Sequence, residues 1–130
     1  MHFERTDRPA ERTDMGGYTL VENASLANRN TLRVDARAAL LAEIRDAAKL
    51  PELLDFPAIR HGRLLVLGEG SNVLFTGDFD GTVLAMETRG VQVESDGDRA
   101  RIAVAAGERW DDFVRWTLGQ GYAGLENLIL

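Results

Sequence analysis

The sequence predicts a mixed α+β domain, on three observations. An apolar run, Leu64-Leu65-Val66-Leu67, enters the turn Gly68-Glu69-Gly70-Ser71-Asn72 and leaves it as Val73-Leu74-Phe75, so a glycine-rich turn lies between two extended segments. Gly90 to Glu94 and Ala100 to Ala105 read as strands joined through Ser95-Asp96-Gly97-Asp98, a hairpin signal. Trp110, Phe113, Val114, Thr117 and Leu118 recur at the three- and four-residue spacing of one helical face.

Taken in order, Met1 to Gly17 is charged throughout and lacks the apolar core of a signal peptide or membrane anchor, so it reads as a disordered tail. From Tyr18 the chain looks folded. Thr31-Leu32-Arg33-Val34, flanked by Asn28, Asn30 and Asp35, alternates as a half-buried strand does. Ala36 to Lys49 has two readings. Leu40, Leu41, Ile44, Ala47 and Ala48 fit an amphipathic helix, whereas Asp46 as an N-cap and Pro51 near a helix start fit a strand over Ala39–Ala42 followed by a helix from about Ala47 to Leu54.

Pro57 and Gly62 close that segment, and Arg63 to Leu67 reads as a buried strand. Val73 to Phe75 is extended, Gly77-Asp78-Phe79-Asp80-Gly81 is a turn, and Thr82 to Met86 is a strand. The last helix has acids Glu108, Asp111 and Asp112 at its N-terminal end, where the macrodipole favours them, and Gly119 and Gly121 to stop it. Trp110 falls on its core stripe and Trp116 off it.

Composition narrows the function. At 130 residues and 45% hydrophobic content the chain suits one globular unit, which at this size buries roughly two-thirds of its unfolded surface. A net charge of -6, with the single lysine Lys49 and the arginines scattered among acids, excludes the basic face that nucleic acid requires. The absence of cysteine removes disulfides, thiolate nucleophiles and cysteine metal sites, and fits a reducing cytoplasm. No apolar stretch reaches the roughly 18 residues of a membrane span, so no membrane partner is expected.

The glycine turn fails two phosphate-binding patterns. Gly68-x-Gly70-x-x-Val73 lacks the third glycine of a dinucleotide fingerprint and is followed by a strand-like run, and no Gly-Lys-Ser/Thr follows as in a Walker loop. Two readings remain: a backbone nest whose N–H groups converge on an anion, helped by the Ser71 hydroxyl and the Asn72 amide, or a tight turn in which Asn72 bonds its own backbone. In the nest reading, Gly70→Val puts a branched side chain where the anion approaches.

Asp78 and Asp80 lack the further ligands of a calcium loop and read as a solvated turn. His2 and His61 stand alone, so no metal site is expected.

Four segments, in order, resemble one family. Leu67-Gly68-Glu69-Gly70-Ser71-Asn72-Val73-Leu74 is similar to the pyrophosphate loop of the UDP-N-acetylenolpyruvoylglucosamine reductases, flavoenzymes of peptidoglycan biosynthesis. Asn30-Thr31-Leu32-Arg33-Val34 resembles that family's opening strand. Val104-Ala105-Ala106-Gly107-Glu108-Arg109-Trp110 resembles its glycine-tryptophan entry to a helix. Gly121-Tyr122-Ala123-Gly124-Leu125-Glu126-Asn127-Leu128 resembles the segment before its second flavin-contacting region.

The resemblance implies the FAD-binding architecture shared with vanillyl-alcohol oxidase and p-cresol methylhydroxylase, two α+β lobes around an elongated FAD. It favours the strand over Ala39–Ala42. It implies a tail over residues 1–17, a first lobe with the pyrophosphate loop over 18–75, and the start of a second over 76–130. Gly68, Glu69, Gly70, Ser71, Asn72, Val73 and Leu74 are the implied cofactor-binding residues. The Glu69 carboxylate, repelled by phosphate, is expected to turn away and leave its backbone to the ligand.

Family members use FAD and NADPH to reduce UDP-N-acetylglucosamine enolpyruvate to UDP-N-acetylmuramate. The family's catalytic serine, arginine and glutamate fall beyond Leu130, so no residue of this chain is expected to be catalytic and the chain alone is expected to be inactive. Leu128-Ile129-Leu130 ends on an apolar run, an expected point of truncation. The alternative class is a non-catalytic nucleotide-binding or self-associating module, held together through an uncovered apolar surface.

Overall fold

A computed structural model describes residues 7–128. It contains a five-stranded sheet, a separate hairpin and three α-helices. The strands are β1 (Glu11–Asp14), β2 (Tyr18–Ser25), β3 (Arg37–Ile44), β4 (Leu64–Leu67), β5 (Phe79–Met86), β6 (Val91–Asp96) and β7 (Arg99–Val104). The helices are α1 (Leu50–Leu54), α2 (Pro57–Arg60) and α3 (Trp110–Gly119). This is the mixed α+β class expected.

The large sheet runs β1-β2-β3-β5-β4, with β2 antiparallel to its neighbours and β3 and β4 both parallel to β5. Its central strands are buried on both faces by alternation. Val83 and Ala85 join Val21, Leu41 and Leu67 in one cluster, while Leu84 joins Tyr18, Ile44, Leu53 and Ile59 in the other. Side chains as deeply buried as Ile44, Leu53 and Val83 each contribute roughly 1.5–3 kcal/mol. Helices α1 and α2 cover the second face, and the connections carrying Leu26, Ala36 and Phe75 cover the first.

Strand β3 fulfils the strand reading of Ala39–Ala42. The expected helix follows as a 3-10 turn, Ala47–Lys49, running into α1, with Asp46 Oδ1 accepting from the Ala48 N–H at 3.0 Å and Pro51 in the first turn. The buried Tyr18 hydroxyl donates to Glu52 Oε1 at 2.9 Å and ties β2 to α1. Burial, then the adjacent carboxylate, raises the Tyr18 pKa.

Several expectations are corrected. Glu11–Asp14, placed in the disordered tail, forms β1: its exposed residues pair through the main chain with β2, and the Arg12 guanidinium reaches across to Glu43. Residues 1–6 of that tail lie outside the described residues. Thr31–Val34 is a turn rather than a strand, because the buried Asn30 side chain captures its main chain. Arg63–Leu67 is strand only from Leu64, and β4 is a sheet edge exposing Leu64 (43%) and Val66 (60%) while Leu67 is buried.

The expected turn over Gly77–Gly81 ends early, since β5 begins at Phe79. Val73–Phe75 joins no ladder and instead packs against the first face. Strand β5 lies between β3 and β4, so the expected boundary after Phe75 falls inside the connection between neighbouring strands of one sheet.

Strands β6 and β7 form the expected hairpin around Gly97-Asp98, with Gly97 at φ +58° supplying the left-handed residue that a tight two-residue turn favours. Helix α3 buries Phe113, Val114 and Thr117. Trp110, expected in the core, is 40% exposed because it sits in the first turn, where its indole N–H donates to the Leu128 carbonyl at 2.8 Å.

Candidate functional site

The glycine loop is the connection from β4 to β5, and a turn from another part of the chain holds it. Asn30 Nδ2 donates to the Leu26 and Val34 carbonyls at 2.7 and 3.3 Å, and Asn30 Oδ1 accepts from the Val34 N–H at 2.9 Å. The turn so formed grips Gly70, whose carbonyl accepts from the Thr31 N–H at 3.2 Å and the Thr31 hydroxyl at 3.4 Å.

Gly70 is required there by packing. It sits at φ +72°, and a Cβ would lie 1.9 Å from the Arg29 carbonyl oxygen and 2.9 Å from the Asn30 Cα. A substitution at Gly70 therefore breaks the loop's own support, and Gly70→Val cannot report on a bound anion. Gly68 is the opposite case: a Cβ there meets nothing within 4 Å, and its φ suits any residue.

Among the described residues, no backbone N–H from Glu69 to Leu74 makes a close hydrogen bond to a protein acceptor, nor do the Ser71 hydroxyl and the Asn72 amide, although Ser71-Asn72 is a turn that brings the Val73 N–H toward the Gly70 carbonyl. The exposed loop thus carries donors without a close protein acceptor, and its Gly70 carbonyl is held by Thr31. An anion is the chemical complement of such a surface. The loop fits a phosphate group on this geometry.

Charge around the loop is dense and paired. Arg29 donates to Glu43 and to Glu87 at 2.6 Å each, and Arg12 approaches Glu43 from the other side. Burial opposes the charge on Arg29, but the Glu87 and Glu43 carboxylates outweigh it and raise its pKa. One side chain of a buried strand, Glu43, thereby anchors the residue whose carbonyl abuts Gly70.

A cavity of about 430 Å³ opens beside Gly68, lined by Arg29, Arg45, Glu69, Glu87, Arg89 and Arg109. A second, of about 500 Å³, is lined by Thr31, Glu69, Ser71, Arg109, Trp110 and Asp111. Glu69 and Arg109 belong to both, and Arg109 Nε donates to Glu69 Oε2 at 3.2 Å. A further cavity of about 750 Å³ is lined by β7, α3 and residues 121–125, with Ile102, Val104, Phe113 and Tyr122 in its walls.

The structure brings Gly68 to Leu74 together with Arg29, Thr31 and Arg109, none of which sequence reasoning had assigned to the site. Thr31 carried a signal, since it follows the asparagine that shapes the turn. Arg109 lies in the helix-entry segment that resembles the family, without a role assigned to its side chain, and Arg29 carried no signal. Asp78 Oδ1 accepts from the Arg37 N–H at 2.9 Å, a structural use. His61 closes α2, His2 lies outside the described residues, and no cluster of metal-ligating side chains occurs among the described residues.

Comparison with known proteins gives a consistent result. A family model described as "FAD binding domain" matches residues 38–130. The UDP-N-acetylenolpyruvoylglucosamine reductase of Pseudomonas aeruginosa is 46% identical over 112 residues, covering 85% of this chain and 33% of that protein. The protein of the same name from Paraburkholderia phymatum is 48% identical over 106 residues, covering 81% and 31%. That of Burkholderia ambifaria strain AMMD is 44% identical over 118 residues, covering 90% and 34%. The chain spans about a third of the length of the curated relatives it matches.

Proposed function

The chain belongs to the FAD binding domain family, and from that premise we propose that it is the flavin-binding part of a UDP-N-acetylenolpyruvoylglucosamine reductase. The whole protein would use NADPH to reduce UDP-N-acetylglucosamine enolpyruvate to UDP-N-acetylmuramate in the bacterial cytoplasm, for peptidoglycan biosynthesis. The carrying observation is the run of N–H donors without a close protein acceptor from Glu69 to Leu74, beside the open Gly68.

When bound, FAD supplies hydride transfer to the enolpyruvyl double bond. Gly68 would give the backbone room for a close approach, and the Glu69 to Val73 amides, with the Ser71 hydroxyl and the Asn72 amide, would hold the pyrophosphate. Leu74 ends the loop where the chain turns back to the sheet. The turn at Asn30 and Thr31 fixes the inner side of the loop, so its donors are oriented before the ligand arrives. The five-stranded sheet is the first lobe, and the hairpin with α3 begins the second. No residue from 7 to 128 is assigned proton or hydride transfer, and the chain alone is inactive in this reading.

A flavin fluorescence titration, with particle size followed in parallel, tests the proposal. The parent chain should bind FAD saturably as a monomer. Gly68→Val should weaken binding by about tenfold or more, about 1.4 kcal/mol, with an unchanged thermal midpoint. Binding of FAD by Gly68→Val with parental affinity overturns the nest. A second reading, a self-associating module, draws on the exposed Leu64 and Val66 of edge strand β4. A colourless oligomer that grows with concentration is its signature.

A further inference from the structure

Between described residues, the Glu69–Arg109 contact is the one hydrogen bond or ion pair that joins a residue up to Met86 with one beyond Gly90. The remaining links between the two sheets pass through the junction itself: Thr88 accepts from the Gly107 N–H at 3.2 Å, and Glu108 pairs with Arg89 and accepts from the Gly90 N–H. Glu69 lies on the glycine loop and Arg109 at the start of α3, so their contact crosses the cleft, dividing it into the two cavities that share both side chains.

The pair is built to break. Its side chains are 38% and 62% exposed, where an ion pair contributes at most about 1 kcal/mol. Asp112, one helical turn on, lies 3.7 Å from the same Arg109 nitrogen and keeps the guanidinium at the cleft mouth if Glu69 withdraws. An anion seated on the Glu69 to Val73 amides meets a like charge in the Glu69 carboxylate and an opposite one in Arg109. The two charges on the strut therefore respond to a phosphate in opposite directions.

We infer that Glu69 and Arg109 form a displaceable latch across the cleft: Glu69 is an internal anion competing with phosphate for Arg109, and Arg109 is a phosphate-contacting side chain on the wall opposite the glycine loop. An elongated ligand occupying both cavities has to part the pair, and Arg109 exchanges a carboxylate partner for a phosphate. The inference rests on the FAD reading and adds to it a second wall and an exchange of partners.

The experiment titrates the full chain and three variants, Glu69→Gln, Arg109→Gln and Arg109→Lys, with FAD and with riboflavin, which carries the flavin without phosphate. Glu69→Gln should tighten FAD about threefold, because it removes the competitor and the repulsion together. Arg109→Gln should weaken FAD about tenfold and flatten its salt dependence, and Arg109→Lys should recover part of that loss. None of the three should move riboflavin by more than about twofold.

Thermal midpoints close to the parent's confirm folding, as expected for exposed positions. FAD binding that Arg109→Gln leaves within about twofold, or an equal shift for riboflavin, overturns the latch and leaves the flavin site standing. A parent chain that binds neither flavin overturns both.

Discussion

The two sheets of this molecule are built to different standards. Among the described residues, the two apolar clusters draw on the chain from Tyr18 to Met86, where the central strands are covered on two faces. Among the described residues, the hairpin and α3 bury the helical stripe Phe113, Val114 and Thr117 and otherwise line the 750 Å³ cavity, with Val93 and Trp110 exposed. The glycine loop grows from the well-packed unit, and the loosely packed unit reaches it through Arg109 at the start of α3. Local stability follows burial, so the hairpin should open far more often than the sheet.

The strongest way to break the contrast is at the loop's support. Gly70→Ala drives a Cβ into the Arg29 carbonyl at a left-handed position and should cost upwards of about 3 kcal/mol in chemical denaturation, while Gly68→Ala should stay within about 0.5 kcal/mol of the parent. Equal losses at the two glycines would show that the packing against Arg29 does not hold the loop.

A pair of truncations sharpens the comparison between sheets. Ile44→Ala, in a fully buried strand position, should destabilise by about 2–5 kcal/mol, and Ile102→Ala, half-buried on β7, by less than about 1 kcal/mol. A cost at Ile102 as large as that at Ile44 would mean that the two units share one cooperative core.

The smallest effect belongs to Glu52. Hydrogen bonds from Lys49 and then from the Tyr18 hydroxyl hold its carboxyl below the ordinary value of 4.5. A carboxyl depressed in the fold contributes stability above its unfolded pKa and loses it as pH falls through the folded one. The difference in thermal midpoint between parent and Glu52→Gln should therefore be present at neutral pH and vanish in acid; a difference that persists at pH 2 would refute this origin.

Much of this architecture is legible from residues alone where a local signal decides the outcome. Asp46 and Pro51 mark the start of the helical segment, Gly97-Asp98 marks the hairpin, and the stripe from Phe113 to Thr117 marks α3. Illegible elements depend on partners distant in sequence. Strand β1 has no apolar alternation and exists through β2's main chain and the Arg12–Glu43 pair. The alternation of Leu32 and Val34 imitates a strand until the Asn30 side chain captures the backbone.

Exposure of β4 follows from its place at the sheet edge, which composition does not specify. In the candidate site, the glycine-rich loop itself is readable, but Arg29 and Arg109 reach it through contacts that span the fold.

Strand order carries one more consequence, for assembly. Strand β5 comes after β3 and β4 in the chain yet lies between them, so within the sheet β4 has no neighbour until β5 has inserted. The connection that must close at that moment is the glycine loop. Such non-local parallel pairing makes for slow folding, and a chain emerging from the ribosome completes its N-terminal hairpin of β2 and β3 well before it can join β4. The glycine loop is thus among the last parts of the sheet to take shape, closing only when the central strand β5 is in place.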